Sequence, residues 1–230
     1  ELSDYRNYDT LSLKFDRGTN IFYGDNAQGK TNILEAIYVS ATTKSHKGSK
    51  DREIVNFHKE EAHIRTYVEK DGVETRVDMH LRKSKSKGIA IDGQKIKKAA
   101  DLVGLCNVVF FSPEDLGIIK NGPAERRRFV DMELCQLDSF YLYNLNHYNK
   151  IVKQRNKLLK DMFLNPDLKE TLGIWDMQLV SFGSKVIERR KLFVEQLGGI
   201  LKDIHRKLSG GKEELTVRYE PDVEITDFER

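Results

Sequence analysis

The stretch Gly24-Asp25-Asn26-Ala27-Gln28-Gly29-Lys30-Thr31 decides the fold expected for this chain. It matches the whole pattern G-x-x-x-x-G-K-[ST], which is typical of a loop that binds the phosphates of a nucleotide. The preceding residues 19–23 are apolar and β-prone, which predicts a short buried strand. Residues 31–38 carry apolar side chains at helical spacing without Gly or Pro, which predicts a helix. Strand, glycine loop and helix therefore follow one another in the order that phosphate binding requires.

Each residue type in the loop has a physical reason. Gly24 and Gly29 allow positive φ angles, so that successive N–H groups point inward at an anion. The helix that begins near Lys30 presents unpaired N–H groups and its positive dipole end to the same phosphates. We expect Lys30 to reach the β- and γ-phosphates of a nucleoside triphosphate and the Thr31 hydroxyl to bind Mg²⁺. The predicted nucleotide-binding residues of this segment are Gly24, Asp25, Asn26, Ala27, Gln28, Gly29, Lys30, Thr31 and Asn32. The alternative is a glycine-rich turn that matches the pattern by chance.

Composition restricts the class of protein. Of the 230 residues 33% are charged, the net charge is +3, and the mean hydropathy is −0.57. These values predict a soluble protein, and the longest apolar runs are too short to span a bilayer. The first residues do not form a signal peptide, in which a basic segment precedes an apolar one, and this favours the cytoplasm over secretion. The chain does not begin with Met, and both its ends resemble interrupted strands, so we expect a fragment of a longer protein.

The first predicted region, residues 1–111, is an α/β lobe that contains the phosphate loop. Residues 1–23 are expected to form two or three strands, and Asp71-Gly72 and Asp92-Gly93 predict two β-hairpins. Residues 106–111 are apolar and predict a further buried strand.

The second predicted region, residues 112–210, is helical. Apolar residues from Trp175 to Ile204 recur in steps of mostly three and four, which predicts one long helix. Residues 151–162 offer a partner face, and Asn165-Pro166-Asp167 is expected to supply the turn of an antiparallel hairpin. Residues 211–230 are predicted to return as a strand to the ATPase lobe, so that the helical region is an insertion.

Several segments resemble one group of proteins. Residues 22–37 resemble the nucleotide site of RecF, SMC and related DNA-repair ATPases, which are ABC-type heads without membrane domains. Residues 111–116 and 122–131 are similar to motifs of the RecF family, as are residues 153–160 and the string Tyr5-Arg6-Asn7-Tyr8.

The resemblance implies an α/β P-loop head with a mixed sheet around the helix of the phosphate loop and an inserted helical subdomain. It implies ATP and Mg²⁺ as cofactors and single- and double-stranded DNA as the nucleic acid bound. An ATP-dependent homodimer that acts at DNA gaps and helps to load recombinase is also implied, with RecR and RecO as partners. The processes implied are replication, recombination and repair of damaged DNA, including the SOS response.

ABC-type heads also need a Ser-x-Gly-Gln signature loop and a buried strand that ends in Asp followed by a catalytic Glu. Neither pattern occurs in the 230 residues. We therefore assign no catalytic residue. We expect weak ATP hydrolysis in a longer protein and almost none in this chain.

Two smaller sets of residues are further candidates. The resemblance suggests that Arg6 and Asn7 approach the nucleotide phosphates, whereas a solvated hairpin tip is the alternative. Lys44, Lys47 and Lys50 belong to a Gly- and Ser-bearing loop after the nucleotide helix. They could contact DNA phosphates or simply face solvent.

Other charged motifs favour structural roles. Ser112 and Asp115 predict a capping box, with Pro113 at the first helical position, and this explanation is preferred to a catalytic acid pair at 114–115. Three consecutive arginines at 126–128 would point in different directions on a helix. Arg127 is expected to pair with Asp131, four residues later.

Two other functions remain open from the residues alone. A small-molecule kinase could use the same loop, and its turnover would depend on an acceptor substrate and not on DNA. A DNA-binding or assembly module that does not hydrolyse ATP is the second alternative.

Overall fold

The computed structural model describes residues 1–228, with Glu114 described by its backbone alone. Residues 229 and 230, which end the segment predicted to return to the ATPase lobe, lie outside the described residues. The chain divides into two compact units, Glu1–Phe111 and Ser112–Arg230.

The first unit is built on a six-stranded antiparallel sheet in the order β2-β1-β3-β4-β5-β6. Its strands are β1 (Leu2–Tyr5), β2 (Tyr8–Leu11), β3 (Glu61–Lys70), β4 (Val73–Arg82), β5 (Gly88–Ile91) and β6 (Gln94–Lys95). Both predicted hairpins are confirmed, and positive φ angles at Asp71, Gly72, Asp92 and Gly93 give the turns that match strand twist. The sheet is thus antiparallel among the described residues, where a mixed sheet was expected.

One face of this sheet is covered by helix α1 (Lys30–Thr42), the helix predicted after the phosphate loop. Side chains alternate along β3, so that Ala62 and Ile64 are buried while their neighbours are exposed. Ala36 and Val39 of α1 pack with these residues in one apolar core. Burial of a larger side chain such as Ile64 or Val39 contributes about 1.5–3 kcal/mol. A short helix, α2 (Asp51–Ile54), completes the unit.

Two predicted strands are not formed. Residues 19–23 and 106–111 have no regular secondary structure, and the exposed fractions of Ile21, Tyr23 and Val109 are 79%, 91% and 87%. A strand is stable only with hydrogen-bonded neighbours, and the sheet in residues 1–228 places no strand beside either segment. Apolar, β-prone composition was therefore an insufficient signal.

The second unit is helical. Its helices are α3 (Gly117–Lys120), α4 (Pro123–Leu137), α5 (Ser139–Asp161), α6 (Leu172–Leu208) and α7 (Ile225–Phe228). α5 and α6 run antiparallel, since Arg155 of α5 pairs with Asp176 near the start of α6 while Asp138, just before α5, pairs with Arg189. None of the helices in the described part of the chain combines the length and the apolar composition that crossing a membrane requires.

Side-chain contacts at α4 differ in part from the prediction. Before α4, one half of the predicted capping box is formed, because Asp115 accepts hydrogen bonds from the backbone N–H and the hydroxyl of Ser112. The Asp115 backbone N–H bonds to the Ser112 carbonyl and not to its hydroxyl. The Arg127–Asp131 pair is wrong: Asp131 instead binds Arg190 of α6 through two hydrogen bonds of 2.9 Å and accepts a third from Tyr141 of α5. A half-buried carboxylate gains more from this pairing between helices than from a solvated neighbour on its own helix.

The strand predicted near Leu215 is absent, and residues 213–221 have no regular secondary structure. Within the second unit, Val217 lies beside Gly198 of α6, and the ring of Phe228 lies against Gly183. The return of residues 211–230 to the ATPase lobe stays a prediction.

Candidate nucleotide-binding site

The phosphate loop has the backbone conformation that its glycines predict. Gly24 and Gly29 have φ angles of 139° and 98°, and Ala27 between them also has a positive φ, 64°. Alternation of left-handed and ordinary conformations turns successive N–H groups toward one point. Residues 24–28 are exposed, so a ligand can reach their backbone N–H groups.

Helix α1 begins at the end of the loop. Gly29 is its N-cap, and the Gly29 carbonyl accepts hydrogen bonds from the N–H groups of Asn32 and Ile33 at 2.7 and 3.2 Å. The first turn, Lys30-Thr31-Asn32, contains no acidic residue, so no side chain in it neutralises the positive end of the helix dipole. This helix end is suited to an anion.

Lys30 lies over the loop. Its Nζ donates hydrogen bonds to the carbonyl oxygens of Gly24 and Asp25, at 2.8 and 2.6 Å. These two contacts hold the ammonium group at the mouth of the loop, where a phosphate could replace the carbonyls as its partner. Thr31 is exposed beside it, with a hydroxyl of the kind that binds Mg²⁺ in such loops.

Residues at the β1–β2 turn and at the start of β2 form hydrogen bonds to the phosphate loop. Asn7 Nδ2 and Tyr8 Oη both donate to the Gln28 carbonyl at 3.3 Å, and Asn32 donates to Asn7 Oδ1 at 2.8 Å. A Cβ atom at Gly29 would lie 2.6 Å from Tyr8 Oη, so only glycine fits there. Asn7 is therefore next to the loop, and its approach to the nucleotide phosphates stays a prediction.

Arg6 points to a different group. Its guanidinium binds both carboxylate oxygens of Glu35 on α1, at 2.9 and 2.7 Å, and it also donates to Ser49 and to the Glu53 carbonyl. Glu35 is fully buried. Burial alone would raise the pKa of the Glu35 carboxyl, but hydrogen bonds from Arg6 and Ser45 outweigh it and leave the pKa below its usual value.

The same part of the unit anchors the loop after α1, residues 43–50, which carries Lys44, Lys47 and Lys50 and is called the lysine loop below. Ser45 is buried and donates to Glu35, Ser49 receives its bond from Arg6, and Lys87 of the β4–β5 connection donates to the Thr43 carbonyl. Lys44, Lys47 and Lys50 are exposed on this anchored loop. The Nζ of Lys47 reaches Asn32 Oδ1 at 3.4 Å, which brings this lysine to the first turn of α1.

Three residues of the site were not predicted from sequence. Tyr8 supports the loop, while Glu35 and Ser45 connect it to the lysine loop. A signal existed for Glu35 alone, because it falls among the buried positions of an amphipathic helix, where an unpaired carboxylate would be costly. The contacts of Tyr8 and Ser45 depend on tertiary structure.

Comparison with known proteins shows the family of the chain. Residues 1–216 match AAA_23, an AAA domain family. The chain belongs to this family. Over its whole length, the chain is 61% identical to the DNA replication and repair protein RecF of Agathobacter rectalis and 60% identical to that of Lachnospira eligens. It spans 63% and 64% of the length of these curated relatives. The resemblance to RecF is thus confirmed.

Solved structures show the same fold. The chain superposes on the recombination mediator protein RecF-ATP of the RecFOR pathway with a TM-score of 0.90, at 31% identity, over 99% of this chain and 64% of that chain. For RecF-ATPrS the TM-score is 0.86, at 34% identity, over 91% of this chain and 57% of that chain. The predicted α/β ABC-ATPase-like head is confirmed.

Proposed function

We propose that this chain binds ATP at residues 24–32 as the nucleotide-binding part of a RecF-like protein of DNA replication and repair. The observation that carries the proposal is the phosphate loop itself, with positive φ angles at Gly24, Ala27 and Gly29 and the Lys30 ammonium group at its mouth. The name of the solved relative RecF-ATP supports the choice of nucleotide.

The residues present suit ATP and Mg²⁺. Backbone N–H groups of the loop and the start of α1 would hold the phosphates, Lys30 would neutralise them, and Thr31 would bind Mg²⁺. Asn7 lies beside Gln28, which supports its predicted role near the nucleotide. Arg6 would first have to release Glu35, so its predicted contact with phosphate requires a rearrangement.

DNA binding is proposed for the exposed lysines 44, 47 and 50. Their loop is held by the buried Ser45–Glu35 hydrogen bond and the partly buried Arg6–Ser49 hydrogen bond. The three charges therefore project from a fixed backbone, and a phosphate contact would cost little backbone entropy. We further propose an ATP-dependent homodimer on DNA in the cytoplasm that helps to load recombinase, with RecR and RecO as partners and slow hydrolysis in a protein of the relatives' length.

A titration of fluorescent ATP tests nucleotide binding. We expect Lys30→Ala to weaken binding at least about tenfold, a loss of about 1.4 kcal/mol, because the phosphates lose their nearest cation. Lys70→Ala removes an exposed lysine at the tip of the β3–β4 hairpin and should leave binding unchanged. Equal affinities for the wild type, Lys30→Ala and Lys70→Ala would contradict the proposal.

The rate of ATP hydrolysis with and without DNA separates the proposed function from the alternatives. We expect slow turnover that changes with DNA in a protein of the relatives' length and almost none in this chain. Turnover that needs a small-molecule acceptor and ignores DNA would favour a kinase.

A further inference from the structure

The solvent-facing side of the sheet brings together three side chains that can bind a metal ion. Glu61 and His63 are two residues apart on β3 and therefore share one face. His80 of β4 stands directly opposite His63 in the antiparallel register. The buried residues Ala62 and Ile64 alternate with the two β3 residues, so the register of the core fixes which face the three side chains occupy.

The side chains are already close together. Glu61 Oε2 and His80 Nε2 are 2.5 Å apart, and the rings of His63 and His80 stack with centroids 4.2 Å apart. The ligand atoms of all three residues lie within 4.8 Å of one another. Ligands of a tetrahedral zinc ion, with bonds of about 2.0–2.1 Å, are separated by about 3.3 Å. Small side-chain rotations would therefore bring the three atoms to bonding distance.

We propose that Glu61, His63 and His80 bind one divalent transition-metal ion of the Zn²⁺ type, with its remaining position open to water. Two imidazoles and one carboxylate form a ligand set that zinc uses where a coordination position is left open. Imidazole nitrogens favour Zn²⁺, Cu²⁺ and Ni²⁺ over Mg²⁺ or Ca²⁺, which prefer oxygen ligands. The set is thus chemically distinct from the Mg²⁺ position proposed at Thr31.

Neighbouring charges affect the affinity of this site for a metal ion. Arg82 stands opposite Glu61 in the register, and its positive charge opposes a bound cation. Arg65 also lies on this face, but it is paired with Asp78 at 2.6 Å and Glu1 at 3.7 Å. We therefore expect Arg82→Gln to tighten metal binding and Arg65→Gln to change it less.

The site is independent of nucleotide binding. It occupies the face of the sheet opposite the core that contains α1, and all three ligands come from the β3–β4 hairpin. Metal binding can therefore be measured without ATP, and its failure would leave the proposed function untouched.

Isothermal titration of Zn²⁺ into the nucleotide-free chain is the test. All proteins carry Cys106→Ser and Cys135→Ser, so that thiolates cannot bind the probe. His63→Asn and His80→Asn each remove one ligand, whereas His58→Asn removes an exposed histidine elsewhere in the same unit. Circular dichroism spectra and thermal unfolding without metal establish that each variant is folded.

We expect one Zn²⁺ per chain, with affinity at least about tenfold weaker in each ligand variant and unchanged in His58→Asn. Saturating Zn²⁺ should raise the unfolding temperature of the parent protein, because the ion binds only the paired hairpin, and it should not do so for His63→Asn. Equal affinity in His63→Asn, His80→Asn and His58→Asn would overturn the proposal, as would the absence of saturable binding in the parent protein.

Discussion

At the scale of the residue, Gly29 shows how one position serves both backbone and packing. Its φ angle of 98° favours glycine, and a Cβ atom would lie 2.6 Å from Tyr8 Oη and 2.7 Å from Asn7 Nδ2. We expect Gly29→Ala to weaken ATP binding more than about tenfold, because the loop must move. Gly18→Ala is the matched control, since Gly18 has a φ of 94° in open space. It should lose about 1–2 kcal/mol of stability and no ATP affinity.

A second residue-scale prediction concerns the buried carboxylate of Glu35. The Arg6 guanidinium contributes to holding its pKa below the usual 4.5, so Glu35 stabilises the fold above that pH and this contribution is lost as pH falls through the folded-state pKa. We expect Glu35→Gln to cost about 3–5 kcal/mol in the free energy of unfolding at neutral pH. The difference from the wild type should shrink in acid.

Urea unfolding between neutral pH and acid measures this difference. Glu60→Gln, at an exposed acid of the same unit, should show almost no cost at any pH. A cost for Glu35→Gln that does not change with pH would contradict an ionised, paired Glu35.

At the scale of the element, an ion pair joins the helices of the second unit. Arg190 of α6 binds Asp131 of α4 and also contacts Tyr141 Oη of α5 at 3.0 Å. We expect Arg190→Ala to destabilise this unit by about 3 kcal/mol, because it leaves a partly buried carboxylate without its positively charged partner. Arg127→Ala, at an exposed position of α4, should change stability by less than about 0.5 kcal/mol. Chemical denaturation followed by circular dichroism compares the two, and similar costs would favour the Arg127–Asp131 pair instead.

Elements with a local signal were predicted well. The two Asp-Gly turns specify their hairpins because both central residues can adopt positive φ angles. Helix α6 follows from an apolar stripe repeated over many turns. The strands at residues 19–23 and 106–111 were predicted only from apolar, β-prone composition. Composition does not show whether a neighbouring strand exists.

At the scale of the whole molecule, these two segments should differ from the sheet in the hydrogen exchange of their backbone amides. We expect amides 19–23 and 107–111 to exchange with deuterium rapidly in this chain, because the described sheet gives them no ladder, while those of β3 and β4 are protected. Hydrogen exchange followed by mass spectrometry measures this directly. Protection of residues 19–23 equal to that of β3 would show that the strand predicted there forms after all.

The phosphate loop, its following helix, both hairpins and the long helical hairpin are encoded in short stretches of residues. Their geometry depends on local φ preferences and on side-chain periodicity, which act between residues close in the chain. Tertiary structure alone decided which side chains pair over long distances in the sequence. Examples are the hydrogen bonds of Asn7 with Gln28, of Arg6 with Glu35 and of Arg190 with Asp131. The meeting of Glu61 with the two histidines was decided in the same way, since strand register alone brings residues of β3 and β4 together. Charged and polar groups choose partners by burial and distance, and those quantities exist only once the chain has folded.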